Sequence, residues 1–275
     1  MLTILTGLLT SLSYATSDMF SQRVTRETRP LTQIVWVLAT GVALIVPVGL
    51  LVDGLPDDGE WRGAGLAALA GAVYFAALLC LLHGLRVGDL GLISALTSLQ
   101  GAYVAVVVIA LGAPVTPLLG AALCLCAAGA VLTSLEGRAG STKGAPWAFA
   151  AGLLFGAVML CYSYSDIGWL SQTAISRSVS LVVALPVAVL TGSVAVPKGL
   201  RALSAGSGVL ELSGLSLLTI TFALGPATVA GVTTTQLGTF AVALGFVLLH
   251  ERPRPNQWAG IAATVVGVSL LAVVV

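Results

Sequence analysis

Glu211 stands near the centre of an apolar run over residues 200–223, in Gly208-Val-Leu-Glu-Leu-Ser-Gly214. A charged side chain at the centre of a bilayer-spanning helix costs about 2.5–3.5 kcal/mol on insertion scales, so an acid there implies a function or a specific partner. Ser204, Ser207, Gly208 and Gly214 fall on the same helical face at three- and four-residue spacing. That face is small and polar, suited to the interior of a helix bundle and not to lipid. One reading makes Glu211 a carboxylate that binds a cation or carries a proton. The other makes it a hydrogen-bonded structural acid packed against a neighbouring helix.

Two aspartates form the second constellation. Gly7, Ser11, Tyr14 and Asp18 make one stripe, and Gly156, Met159, Ser163 and Asp166 make another. Each acid has a tyrosine one turn earlier, Tyr14 and Tyr162. Carboxylates beside aromatic rings suit an amine or ammonium group, which the rings also attract. The alternative is a pair of interfacial acids near helix ends, balanced by Arg23 and Arg177. Arg177 has two possible roles, neutralising Asp166 or holding a substrate carboxylate. Hydroxyl and amide groups supply the third set: Thr97 and Gln100 on one run, Thr235 and Gln236 on another. Such residues line polar cavities, and they also mediate ordinary helix packing in membranes.

The elements that position these groups follow from composition. Hydrophobic residues are 57% of the 275 and charged residues 8%, against about 25% charged in an average soluble domain. A surface so poor in charge belongs in lipid, and a net charge of +1 speaks against nucleic acid as a partner. A span needs roughly 20 apolar residues. Runs of that kind cover 2–20, 32–52, 62–85, 90–111, 115–135, 147–170, 174–193, 200–223, 227–249 and 256–275. None alternates polar with apolar, so helices are expected and not barrel strands. The four cysteines, Cys80, Cys124, Cys126 and Cys161, lie inside these runs and read as small buried hydrophobes, with neither a metal site nor a disulfide framework. No cofactor is expected.

The longest polar interruption, Glu136–Pro146, falls at mid-chain and invites a search for a repeat. A shift of 138 residues lays 86–134 on 224–272 without a gap. Nine of those 49 positions are identical, among them Thr97/Thr235, Leu99/Leu237, Pro117/Pro255 and Gly129/Gly267. Tyr14-Ala-Thr-Ser-Asp18 mirrors Tyr162-Ser-Tyr-Ser-Asp166, and Pro47 and Pro186 sit late in the second and seventh runs. The expected organisation is a first five-helix repeat over 1–137, a polar linker over 138–146 and a second repeat over 147–275. With an odd number of spans per half, the second half enters the membrane from the opposite side. Inverted repeats of this kind are common in secondary transporters, whose substrate site lies at the repeat interface. Ten of the twelve Lys and Arg residues lie after odd-numbered runs, leaving Arg62 and Arg177 on the other side; by the positive-inside rule both termini face outward.

The segment His250-Glu-Arg-Pro-Arg-Pro-Asn-Gln-Trp-Ala-Gly260 resembles the end of the ninth helix in EamA-type transporters of the drug/metabolite transporter superfamily. Glu251, Arg252, Gln257 and Gly260 match that pattern, whereas the parallel place in the first half, Gly112–Pro117, lacks the Glu-Arg pair. Gln100 and Gly238 stand where family members often carry proline. Arg177 looks like the family's arginine at the start of the seventh helix. The resemblance implies a ten-helix carrier of small organic solutes, commonly amino acids, amines or other metabolites, often moved outward. It also implies cytoplasmic termini, opposite to the charge bias.

The sequence therefore predicts an all-α membrane protein of ten transmembrane helices in two inverted five-helix repeats, in a bacterial inner membrane, as monomer or homodimer. Its expected function is secondary transport of small organic metabolites such as amino acids or amines, outward by alternating access and proton-coupled through Glu211, with lipid and a small-molecule substrate as partners. The working residues are Glu211, Asp18, Asp166, Arg177, Tyr14, Tyr162, Thr97, Gln100, Thr235 and Gln236. The rival readings are a non-transporting membrane scaffold and a multi-pass enzyme; no catalytic pair or metal set supports the latter.

Overall fold

The structure is a computed structural model. It describes residues 1–54, 59–88, 93, 96–97, 100–112, 116–134, 144–234, 236, 239–240 and 255–274. Every regular element among them is helical: α1 Leu2–Glu27, α2 Pro30–Val52, α3 Trp61–Val87, α4 Gln100–Ala110, α5 Pro117–Ser134, α6 Ala145–Ser163, α7 Trp169–Leu190, α8 Arg201–Leu224, α9 Ala227–Thr233 and α10 Pro255–Val274. A 3₁₀ turn, Lys198–Leu200, leads into α8.

Among the described residues five helices are long and apolar enough to cross a membrane: α2, α3, α6, α7 and α8 with its leading turn. Within α5, Pro117–Gly129 is a shorter apolar stretch. α1 has the length, at 26 residues, but nine Ser and Thr, Asp18 and a charged last turn dilute its apolar character. Ten spans are expected from the sequence; five are found among the described residues, and parts of the expected fourth, fifth and ninth runs lie outside them.

Two expected boundaries are corrected. α1 runs on to Glu27 and not to residue 20, so Asp18 lies well inside it. α6 stops at Ser163 and not at residue 170, because Ser165, Asp166 and Gly168 favour turns over helix. α2 opens on Pro30 at its first position, where the missing N–H costs nothing. Pro47 and Pro186 both sit inside their helices, α2 and α7.

The pairing of helices carries the internal symmetry. α1 packs chiefly on α8, α3 on α6, α2 on α7, α4 on α9 and α5 on α10. Adding five to each first-half number and subtracting five from each second-half number returns the same set of pairs. The α1–α8 and α3–α6 seams are therefore equivalents, each joining one half to the other. Both are antiparallel. Thr3 Oγ1 donates to the Leu224 carbonyl while Ser17 meets Ser207 further along, and Ser165 Oγ donates to the Gly63 carbonyl while His83 stacks near Trp147. The main hydrophobic core lies along α3 and α6, with Leu78, Leu82, Ala148, Ala151 and Val158 at its centre.

Candidate functional site

A cavity lies where the two halves meet. Its walls come from α1 (Tyr14, Asp18), α3 (Tyr74, Leu78, Leu81), the start of α4 (Thr97, Gln100), α6 (Phe155, Val158, Met159) and α8 (Glu211, Leu218). It measures about 40 Å³ as the space open to a water molecule's centre, enough for a few waters. Gly214 makes the room on the α8 side, since a Cβ there would approach the Tyr14 ring to 2.9 Å. α3 and α7 close in behind. Gly71 lets the backbone of Ser176 come into direct contact, and Ser180 Oγ donates to the Gly71 carbonyl at 2.6 Å.

Glu211 is buried on the polar face expected of it, with Ser204 and Ser207 fully buried on the same side of α8. It is not a free carboxylate. Oε2 pairs with Arg177 Nη2 and Oε1 accepts from the Tyr74 hydroxyl. Arg177 Nη2 also donates to the Glu211 carbonyl oxygen at 3.3 Å, and the guanidinium carbon lies 5.0 Å from the Tyr74 ring centroid. Tyr14 lines the same cavity as Tyr74. Arg177 is fully buried, about two turns into α7 and behind Glu211, so the expected place at the start of its helix and beside Asp166 is corrected. A guanidinium without solvent needs a matched anion, and Glu211 is the carboxylate within reach.

Asp18 behaves differently. It lines the cavity and forms no ion pair among the described residues. The expected partner Arg23 pairs instead with Glu27 at 3.4 Å on the exposed surface. Asp166 leaves the site altogether, exposed in the loop between α6 and α7. Of the two aspartates only Asp18 lines the cavity, because α6 ends at Ser163, before it reaches Asp166.

The remaining expected residues divide. Tyr14, Thr97 and Gln100 face the cavity. Tyr162 does not line it; its hydroxyl bonds Ser176 Oγ at 2.6 Å and its carbonyl accepts from Gln172 Nε2 at 3.1 Å, fastening α6 to α7. Gln236 is buried, its backbone N–H donating to Ser11 Oγ at 2.9 Å and its Nε2 to the Val232 carbonyl at 3.0 Å. Thr235 lies outside the described residues, as do Gly238 and residues 251–254. Sequence reasoning did not place Tyr74 among the working residues and missed the apolar lining, whose residues look like any other buried face. It also missed a hydroxyl series on α1, Ser17, Ser21 and Thr25, whose four-residue spacing was available to find it.

These features define a multi-pass helical membrane protein of two repeats with an acidic cavity at their junction. A family model, the EamA-like transporter family, matches residues 1–135 and again 142–273. The chain belongs to that family and is a membrane transporter of the drug/metabolite transporter superfamily. No curated protein matches its sequence. A solved structure described only as a crystal structure of a protein is similar in fold, with a TM-score of 0.78 at 15% identity, over 99% of this chain and 96% of that one.

Proposed function

We propose that the protein is a proton-coupled secondary carrier that exports small organic cations or amine-bearing metabolites, amino acids among them, by alternating access. Ten spans in two inverted repeats, divided by the 138–146 linker, supply the symmetric halves that rock about the cavity. The observation that carries the reading is the difference between its two acids. Glu211 is neutralised by Arg177, so the cavity's net negative charge resides on Asp18. A substrate ammonium and a proton compete for that one carboxylate. Binding of either releases the other, and this exclusion is what couples their opposite movements.

Tyr14 and Tyr74 present ring faces and hydroxyls to the bound cation, while Thr97 and Gln100 supply hydrogen bonds to its polar end. Phe155, Met159 and Leu218 accept its apolar body. The Glu211–Arg177 pair fixes α7 to α8 and holds Tyr74 in place. The charge bias of the loops favours odd-numbered loops on the cytoplasmic side of a bacterial inner membrane. With Arg177 in the core and paired, Arg62 is left as the single opposing cation in the count, which strengthens that bias.

Proteoliposomes with an imposed pH gradient test the function against a panel of labelled amines and amino acids. Gradient-driven movement of at least one, collapsed by a protonophore, is the expected result. No movement across the panel, together with no ligand-induced rise in thermal stability, would favour the scaffold reading instead.

A further inference from the structure

Below the cavity, between α1, α2 and the beginning of α8, lies a buried cluster of polar side chains that the substrate site does not use. Ser17 Oγ donates to the Ser207 carbonyl at 3.0 Å and shares a hydrogen bond with Ser207 Oγ at 3.1 Å. Ser21 Oγ meets Ser207 Oγ at 2.7 Å. Gln33 Nε2 donates to both Ser21 Oγ at 3.1 Å and Ser207 Oγ at 3.2 Å. All four side chains are buried, Gln33 and Ser207 completely.

The cluster is not closed on itself. Gln33 Oε1, Ser204 Oγ and Gln22 Nε2 are buried and have no hydrogen-bond partner among the described residues. Gln33 and Ser204 are both fully buried, where an unmet polar group costs about 1–3 kcal/mol. Three such groups around one seam call for water, which satisfies two to four polar partners at a time.

The placement is directional. Ser207 is one turn from Glu211 on α8, and Ser21 and Gln22 are one turn from Asp18 on α1. In the other direction Ser204 lies one turn from the start of α8, and Gln33 one turn from the start of α2. That end of the bundle is marked by Arg29 Nη1 donating to the Thr191 carbonyl at 2.7 Å and Trp36 Nε1 to the Val194 carbonyl at 2.9 Å, both exposed. The column thus runs from the cavity acids to the face that carries the α1–α2 loop.

We propose that this column is a hydrated path by which protons travel between the α1–α2 face and Asp18. The proposal rests on the proton coupling argued above. A proton entering from water is accepted by a water or hydroxyl oxygen, which releases its own proton inward, and the last one goes to the Asp18 carboxylate. Charge and atoms balance at each transfer, and rotation of the hydroxyls resets the chain. Charged groups at its ends are Asp18, Glu211 and Arg177 at the cavity, and Arg29 and the Arg23–Glu27 pair at the surface. The repeat-related α3–α6 seam is built mainly of apolar side chains, Leu78, Leu82, Ala148 and Ala151 among them.

Two measurements test it on the full-length protein in proteoliposomes. With the four native cysteines replaced in a background that still transports, Ser204→Cys is expected to react with a small water-soluble thiol reagent applied at the α1–α2 face. Ala151→Cys in the opposite seam is expected to stay unreactive. Ser207→Val is expected to slow proton entry, read by an internal pH dye, by about tenfold, with substrate-induced thermal stabilisation retained. A Ser204→Cys protein as inert as Ala151→Cys, or a Ser207→Val protein with unchanged proton entry, overturns the path while leaving coupling intact. Wild-type accumulation that ignores a protonophore overturns the coupling and the path together.

Discussion

The α1–α8 and α3–α6 seams occupy equivalent positions in the two-repeat arrangement, and a serine donates to a carbonyl at the matching end of each, yet most of their contents differ. In the first, Ser17, Ser21, Ser207 and Gln33 bond one another, and Thr221 Oγ1 donates to Thr6 Oγ1 at 2.9 Å. In the second, Leu78, Leu82, Leu85, Ala148 and Ala151 form the heart of the hydrophobic core. Symmetry of packing therefore does not impose symmetry of chemistry. Backbones that approach alike can be held together by hydroxyl contacts or by dispersion, since small and hydroxyl residues both permit close helix approach in a membrane. What the divergence provides is a dry wall on one side of the cavity and a polar one on the other. The two acids follow the same division of labour: Glu211 is spent on Arg177, and Asp18 faces the cavity with no ion-pair partner among the described residues.

The largest test removes the support behind the cavity. Arg177→Met leaves Glu211 buried without its cation and is expected to cost about 3–5 kcal/mol, read as a fall in thermal midpoint in detergent. Adding Glu211→Leu to it is expected to recover most of that loss, because a well-packed apolar pair is a tolerable substitute for a buried ion pair. If the single variant unfolds like the parent, the pair is not the clamp described here.

Truncation of the dry seam comes next. Leu82→Ala is expected to lose about 2–5 kcal/mol while the ratio of protons to substrate moved stays as in the parent. A changed ratio would show that the α3–α6 side takes part in coupling and would end the contrast between the seams.

Asp18→Asn is expected to do the reverse. Gradient-driven accumulation falls by about tenfold or more, and the thermal midpoint stays close to that of the parent, since Asp18 holds no ion pair among the described residues. Glu211→Gln separates the two acids, because it lowers stability together with transport by leaving Arg177 unmatched. Full activity in the Asp18→Asn protein would transfer the working role back to Glu211. The smallest effect is expected from Ser21→Ala, which removes one member of the hydroxyl cluster and costs about 0.5–1.5 kcal/mol. The same change in hydroxyl count made in the other direction, Ala151→Ser, is expected to destabilise slightly, because Ala151 is fully buried and the seam must take in an extra polar atom. Urea or thermal titration in detergent reads both.

Much of the molecule was legible before its fold. Low charge and long unbroken apolar runs point to a membrane protein, as the family match bears out. The 138-residue shift anticipates two repeats, and the family model matches twice. Glu211 with Ser204 and Ser207 on one face was also readable, because helical periodicity places them together whatever the neighbours. The misassigned residues have local causes. Arg177 reads as an interfacial cation because sequence spacing near an acid suggests pairing with Asp166, and only the crossing of α7 with α8 brings it to Glu211 instead. Asp166 reads as the twin of Asp18 because the two pentapeptides match, but one lies mid-helix and the other beyond a helix end.

The sequence by itself determined that the chain is helical, belongs in lipid and is built twice over, because hydrophobicity and repeat spacing are properties of the chain as a string. The tertiary structure decided which acid is neutralised, which is free, and which seam is polar. Those outcomes depend on helices 34 residues apart or more than 180 residues apart meeting at particular faces, as Arg177 meets Glu211 and Ser17 meets Ser207. Electrostatic pairing and hydrogen bonding act over a few ångströms, so no spacing along the chain encodes them until the bundle has closed.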